Sequence, residues 1–113
     1  MTTLTGAFPL LAQAVAKALR DLERADLAQQ IEDAVVSRVT FDPSAGAAYV
    51  SVEPSRALNV VEANIIGVRH GETIVVETEF AALVDTDNFE RVIGVEVLAP
   101  GVLEPELRRR TRG

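Results

Sequence analysis

The hydrophobic period of this chain changes once, near Ser37, and that change limits the folds open to it. Before it, Leu11, Val15, Ala18 and Leu22 recur at helical spacing, with Lys17, Arg20, Asp21 and Arg24 elsewhere on the wheel. Leu27, Ile31, Ala34 and Val35 form a second stripe, out of phase with the first. Between the stripes Asp26 has Gln29 three residues on, the spacing of a capping box. These signals predict two helices, about 8–24 and 27–36, joined by a tight turn. One long bent helix is the alternative.

After Ser37 the period is two. Val39 and Phe41 alternate with Arg38 and Thr40. "DPSAG" then turns the chain, with Pro43 presetting the second turn position and Gly46 taking the left-handed conformation. Asp42 is expected to bond to backbone in that turn, and Tyr49 to pack from the strand "AAYVSVE", which Pro54 ends. A further strand is expected over about 60–69, then a hairpin tip at His70 and Gly71 in "RHGE". The partner strand would cover about 72–84, with a bulge or bend near Ala81 and Ala82. "DTDNFE" turns again, and "RVIGVEVL" is the last strand, stopped by Pro100 and Gly101.

Helices followed by about five mostly antiparallel strands give an α+β fold, with the helical pair packed on one sheet face. Ile74, Val76 and Phe80 share one strand face, while Glu77 and Glu79 take the other. Ile93, Val95 and Val97 likewise oppose Glu96. One face should be dry and the other acidic.

With 113 residues, 48% hydrophobic and 25% charged, the chain matches one globular domain. That domain is expected over residues 1–101, and 102–113 as a flexible basic tail in which "PELRRR" can make one helical turn. There is no Cys, which removes disulfides, thiolate metal sites and a Cys nucleophile. The start, "MTTLTGAFPLLAQAVAKALR", has no basic leader, and Lys17 and Arg20 interrupt its apolar run. It reads as neither signal peptide nor membrane span, so a cytoplasmic location is expected.

Two segments resemble a known pair of motifs. "FDPSAGAAYVSV" is similar to a pattern of the type YDPEADALYIRL, through Phe41, Asp42, Pro43, Ala45, Ala47, Tyr49 and Val50. "VDTDNFERVIGVEVL" is similar to VDLDEDGRVVGIEIL, through Asp85, Asp87, Arg91, Gly94, Val95, Glu96, Val97 and Leu98. Together, over about residues 41–98, they resemble the DUF2283 family of small bacterial proteins. Gly46, Ala48 and Ser51 depart from the family pattern, and the stretch between the motifs is longer here. The resemblance implies a small β-rich fold, no known activity, and an association with toxin–antitoxin-like gene neighbourhoods. It implies a structural part for the matched residues.

Few residues here suit catalysis. Asp85, Asp87 and Glu96 fall at positions 1, 3 and 12 of a calcium-loop template, but Phe89 and Glu90 stand where an oxygen ligand and a Gly belong. A hairpin turn with locally bonded Asp residues is the expected reading. His70 is the single His, and at a hairpin tip it would be poorly oriented for base catalysis. Glu77, Glu79 and Glu96 have the residue type of a paired-carboxylate site, but a charged sheet face accounts for them. No Gly-rich phosphate loop is present. No catalytic residue, metal or cofactor is therefore assigned.

The net charge of −6 is unevenly spread. Arg108, Arg109, Arg110 and Arg112 leave residues 1–107 with 7 basic and 17 acidic side chains, a net −10. An acidic body draws basic proteins and repels nucleic acid. The leading expectation is a non-enzymatic acidic protein-interaction module, antitoxin-like or regulatory, that binds another protein and forms a homo-oligomer, with no membrane partner. A nucleic-acid-associated regulator using the four Arg residues is the alternative, and a carboxylate- or metal-dependent enzyme ranks below it.

Overall fold

A computed structural model describes residues 2–42, 44, 46–77, 80–99 and 105–106. Among them, three helices lead: α1 (Leu4–Ala7), α2 (Pro9–Asp21) and α3 (Ala25–Asp33). Five strands follow: β1 (Val36–Asp42), β2 (Ala47–Val52), β3 (His70–Glu77), β4 (Ala81–Asp87) and β5 (Val92–Ala99). They form one sheet in the order β1-β2-β5-β4-β3, and every adjacent pair is antiparallel. The helices cover one face, so the architecture is the α+β fold that the change of period predicts.

The helical boundaries shift from the expected ones for local reasons. Thr3 Oγ1 accepts the Gly6 N–H at 3.0 Å and caps α1, a helix the periodicity did not reveal. Pro9 opens α2, whose buried stripe is Leu11, Ala12, Val15, Ala16 and Leu19. Leu22, expected in that stripe, is exposed because the helix stops one residue before it. The chain turns there through a Schellman closure. Glu23 takes a left-handed φ of 61°, its N–H bonds to Arg20 O, and the Arg24 N–H bonds to Leu19 O at 2.8 Å. This closure launches α3 at Ala25, so Asp26 lies in the first turn and does not cap. At the far end Val36 N–H bonds to Thr2 O at 2.8 Å and Val35 bridges Thr3. Val36 thus opens β1 and Val35 makes an isolated bridge, where helix was expected.

The β1–β2 hairpin forms where expected, pairing Phe41 with Ala48 and Val39 with Val50, and Gly46 has a φ of 65°. Pro43 lies outside the described residues. The strand expected at about 60–69 does not form. Asn59 and Glu62 instead complete a capping box: Glu62 N–H bonds to Asn59 Oδ1 (2.8 Å) and Asn59 N–H to Glu62 Oε1 (3.1 Å). A helical turn follows, π-type over Glu62–Ile66. Local capping has overridden the strand preference of a Val- and Ile-rich run. The long strand expected over about 72–84 is two strands, β3 and β4. The irregularity at Ala81–Ala82 belongs to the β4–β5 ladder.

His70 and Gly71 open β3; they do not form a hairpin tip. Gly71 is required for close approach, since a Cβ there would overlap the Asp87 carbonyl.

The core lies between helices and sheet. Phe8, Leu11, Val15, Leu19, Leu27 and Ile31 pack toward Val50, Val76, Val84, Val95 and Val97. Ile74 and Phe80 join this dry face as expected. Ile93 does not, because a bulge pairs Thr86 with Val92 and leaves Ile93 half-buried. Glu77 and Glu96 take the other face, and Glu79 lies outside the described residues. Within the segment expected as a tail, Pro105 and Glu106 are helical. Glu106 is buried, and its Oε1 accepts the Leu10 N–H at 3.3 Å near the uncapped start of α2.

Candidate functional site

Asp42 behaves as a turn residue, its Oδ1 accepting the Ser44 N–H at 3.0 Å. Phe41 is half-buried against the core. Tyr49, on the outer sheet face, pairs with Glu96 of β5. Its ring crosses the bare backbone of Gly94, where a Cβ would overlap the phenol. The hydroxyl reaches Asp85 Oδ2 at 3.1 Å. Burial first, then the Asp85 charge and hydrogen bond, pushes the Tyr49 hydroxyl up to about 12.

Asp85 Oδ1 accepts the Thr73 hydroxyl at 2.8 Å, and His70 Nε2 lies 2.9 Å from Thr73 Oγ1. Asp85 as a carboxylate only accepts, so the Thr73 proton goes to it and His70 Nε2 supplies the next proton in the chain. His70 is thus a donor at this contact and does not act as a base toward Thr73. None of the four residues lines either of the two described clefts. These hydrogen bonds fix Tyr49 in place, and its raised pKa disfavours tyrosinate near neutral pH.

The carboxylates of the calcium template do not converge. Among the described residues no group of three or more His, Cys, Asp or Glu side chains is placed to hold a metal ion. Asp87 turns inward. Its Oδ1 accepts the N–H groups of Phe89 (2.9 Å) and Arg91 (3.0 Å), and its Oδ2 accepts Arg91 Nε at 2.7 Å. Burial alone would raise the Asp87 carboxyl, but these bonds from Arg91 and Phe89 outweigh it and hold it below the ordinary carboxylate value.

Arg91 also reaches outward, its Nη1 donating to Arg56 O at 2.9 Å. That contact leads to the connection between β2 and β3, residues 53–69. Connections in compact domains have a median of about 4–6 residues, so one this long needs a reason. Its two ends are fastened to the body. Ser55 donates to Gln30 Oε1 at 3.1 Å, and Gln30 is itself tied to Val92 N and Glu90 O. At the other end Asn88 accepts from Arg69 N (2.8 Å) and donates to Gly67 O (3.1 Å). Within the loop Arg56 pairs with Glu62 at 3.0 Å and lies 6.0 Å above the Phe89 ring.

This fastened loop displays apolar side chains. Val60 and Ile65 are 73% and 76% exposed, and Val61, Ile66 and Val68 are exposed with them. The helical turn Glu62–Ile66 has no buried residue. Exposed apolar side chains concentrated in one segment mark an interaction site more often than scattered ones do. The motif "DTDNFER" therefore has a structural use: Asp87, Asn88 and Arg91 hold the base of the display.

Sequence reasoning misses this loop because its Val- and Ile-rich run has the composition of a strand. The "NVVE" capping-box spacing, present at residues 59–62, was the signal that would have found it. Gln30 and Asn88 carried no such signal. Arg108, Arg109, Arg110 and Arg112 lie outside the described residues.

Fold and site together define an α+β sheet protein that carries an anchored apolar loop. No family model, curated protein or solved structure matches this chain. Among the described residues no helix is long and apolar enough to cross a membrane.

Proposed function

We propose that this chain is a non-enzymatic protein-interaction module of the cytoplasm, which docks a partner protein through the apolar face of residues 60–68. The carrying observation is that loop: five large aliphatic side chains held in water on a base of hydrogen bonds. Pre-organisation lowers the ordering cost of association. The net −10 of residues 1–107 favours a partner with an apolar patch set in basic surroundings. The resemblance to the DUF2283 family and its antitoxin-like setting supports the same reading.

The test compares the wild-type chain with Val60→Glu and Ile65→Glu, both at exposed positions that leave the core untouched. A partner retained by wild type in affinity purification should be lost by both variants, while thermal unfolding stays unchanged. Light scattering identifies the case in which the partner is a second copy. A monomer whose partner capture is indifferent to both substitutions would end this reading.

A further inference from the structure

The first residues of the display loop also border a cleft. It lies between the end of α3, the end of β2 and the start of β5, with a volume of about 340 Å³. That is near the lower end of the roughly 300–1,000 Å³ typical of small-ligand sites. Its floor is apolar, with Ala34, Val52 and Val92 buried and Pro54 beside them. Its rim carries two carboxylates, Asp33 as the last residue of α3 and Glu53 directly after β2. Among the described residues lining it there is no Lys, Arg or His.

Three features of this cleft agree on one ligand chemistry. Two carboxylates attract a cation. The C-terminal end of α3 adds the negative end of its peptide dipoles at the same rim. The apolar floor suits a hydrocarbon stem. An arginine or lysine side chain combines cation and stem in one group. Asp33 accepts one bond, from Gln29 Nε2 at 2.9 Å, and a carboxylate has room for more.

We propose that this cleft anchors a single arginine or lysine side chain from a basic segment of the partner protein. The proposal rests on the interaction-module reading and names the chemistry its partner must carry. The cleft and the apolar face share one loop, residues 53–69, so one partner can engage both.

The test needs no partner. N-acetyl-arginine N-methylamide is titrated into the isotope-labelled full chain, and backbone amide shifts are followed by nuclear magnetic resonance. Saturable shifts should centre on Val35, Glu53, Ser55 and Val92. The citrulline analogue, equal in shape but uncharged, should bind roughly three- to tenfold more weakly. The Asp33→Asn/Glu53→Gln double variant should lose a similar factor toward the arginine probe with its thermal unfolding unchanged, because both side chains are exposed. The chain truncated after Leu107 serves as the control for competition by its own Arg residues, and tighter binding there would also support the site. Equal binding of citrulline, indifference to the double variant, or shifts scattered over the whole acidic surface would overturn the proposal. Failure of the interaction-module reading would appear separately, as partner capture that ignores Ile65→Glu.

Discussion

The Tyr49 hydroxyl donates to Asp85 at 3.1 Å across the bare backbone of Gly94, and this contact joins the two sequence motifs into one outer sheet face. The chain has one Tyr and no Trp, so the contact can be watched directly by ultraviolet absorbance. Tyrosinate should appear near pH 12, against the ordinary 10.0. A raised phenol pKa means the folded state holds its proton more tightly. Its contribution to stability is complete below pH 10.0 and is lost as pH rises toward about 12. Asp85→Asn should bring the titration down toward the ordinary value. A tyrosine that titrates normally in the folded wild type would remove the contact.

Two glycines should differ in their cost on replacement. At Gly94 an added Cβ meets a tyrosine side chain, which can swing aside. Gly94→Ala should destabilise by about 1–3 kcal/mol, as overpacking does, and lower the Tyr49 pKa. At Gly71 the Cβ meets the Asp87 backbone, which cannot. Gly71→Ala should therefore cost more than Gly94→Ala in urea unfolding.

The Asp87–Arg91 pair is buried, with side chains 1% and 9% exposed. Arg91→Ala would strand a buried carboxylate, and about 3–5 kcal/mol of stability should go with it. The Asp87 carboxyl is held below its ordinary 3.8 in the folded state. Its contribution is thus present above pH 3.8 and is lost as pH falls through the lower folded value. Acid unfolding measured by circular dichroism should be shallower for Asp87→Asn than for wild type over that window.

Glu23 occupies the left-handed position of the α2–α3 turn with a φ of 61°. A non-glycine residue there costs roughly 1–2 kcal/mol, offset in part by the chain entropy that glycine adds. Glu23→Gly should leave stability equal or raise it by up to about 1 kcal/mol, read from the denaturant midpoint. A clear loss would mean that the turn is not the Schellman closure described.

Asn59→Ala removes one half of the capping box and should loosen the display loop without unfolding the sheet. A local loss of about 1 kcal/mol is expected. Hydrogen exchange should quicken at Glu62 and Gly67, whose N–H groups bond within this turn, and stay slow in β4 and β5.

Local sequence pattern accounts for the class of fold and much of the sheet. The change of period at Ser37, the turn before Gly46 and the alternation in β1, β2 and β5 depend on neighbours in the chain, and local rules read them. The turn role of Asp42 followed for the same reason. The candidate site depended on partners distant in sequence. Arg91 meets Arg56 O, Asn88 meets Gly67 O, and Gln30 meets both Ser55 and Val92. Each contact spans at least 21 positions, so no periodicity could carry it. The run from Val60 to Val68 shows the limit most clearly. Its composition fits a buried strand, and hydrophobicity states only what a side chain gains when covered. Whether a cover exists is decided by where the rest of the chain folds, and here it leaves these residues facing water.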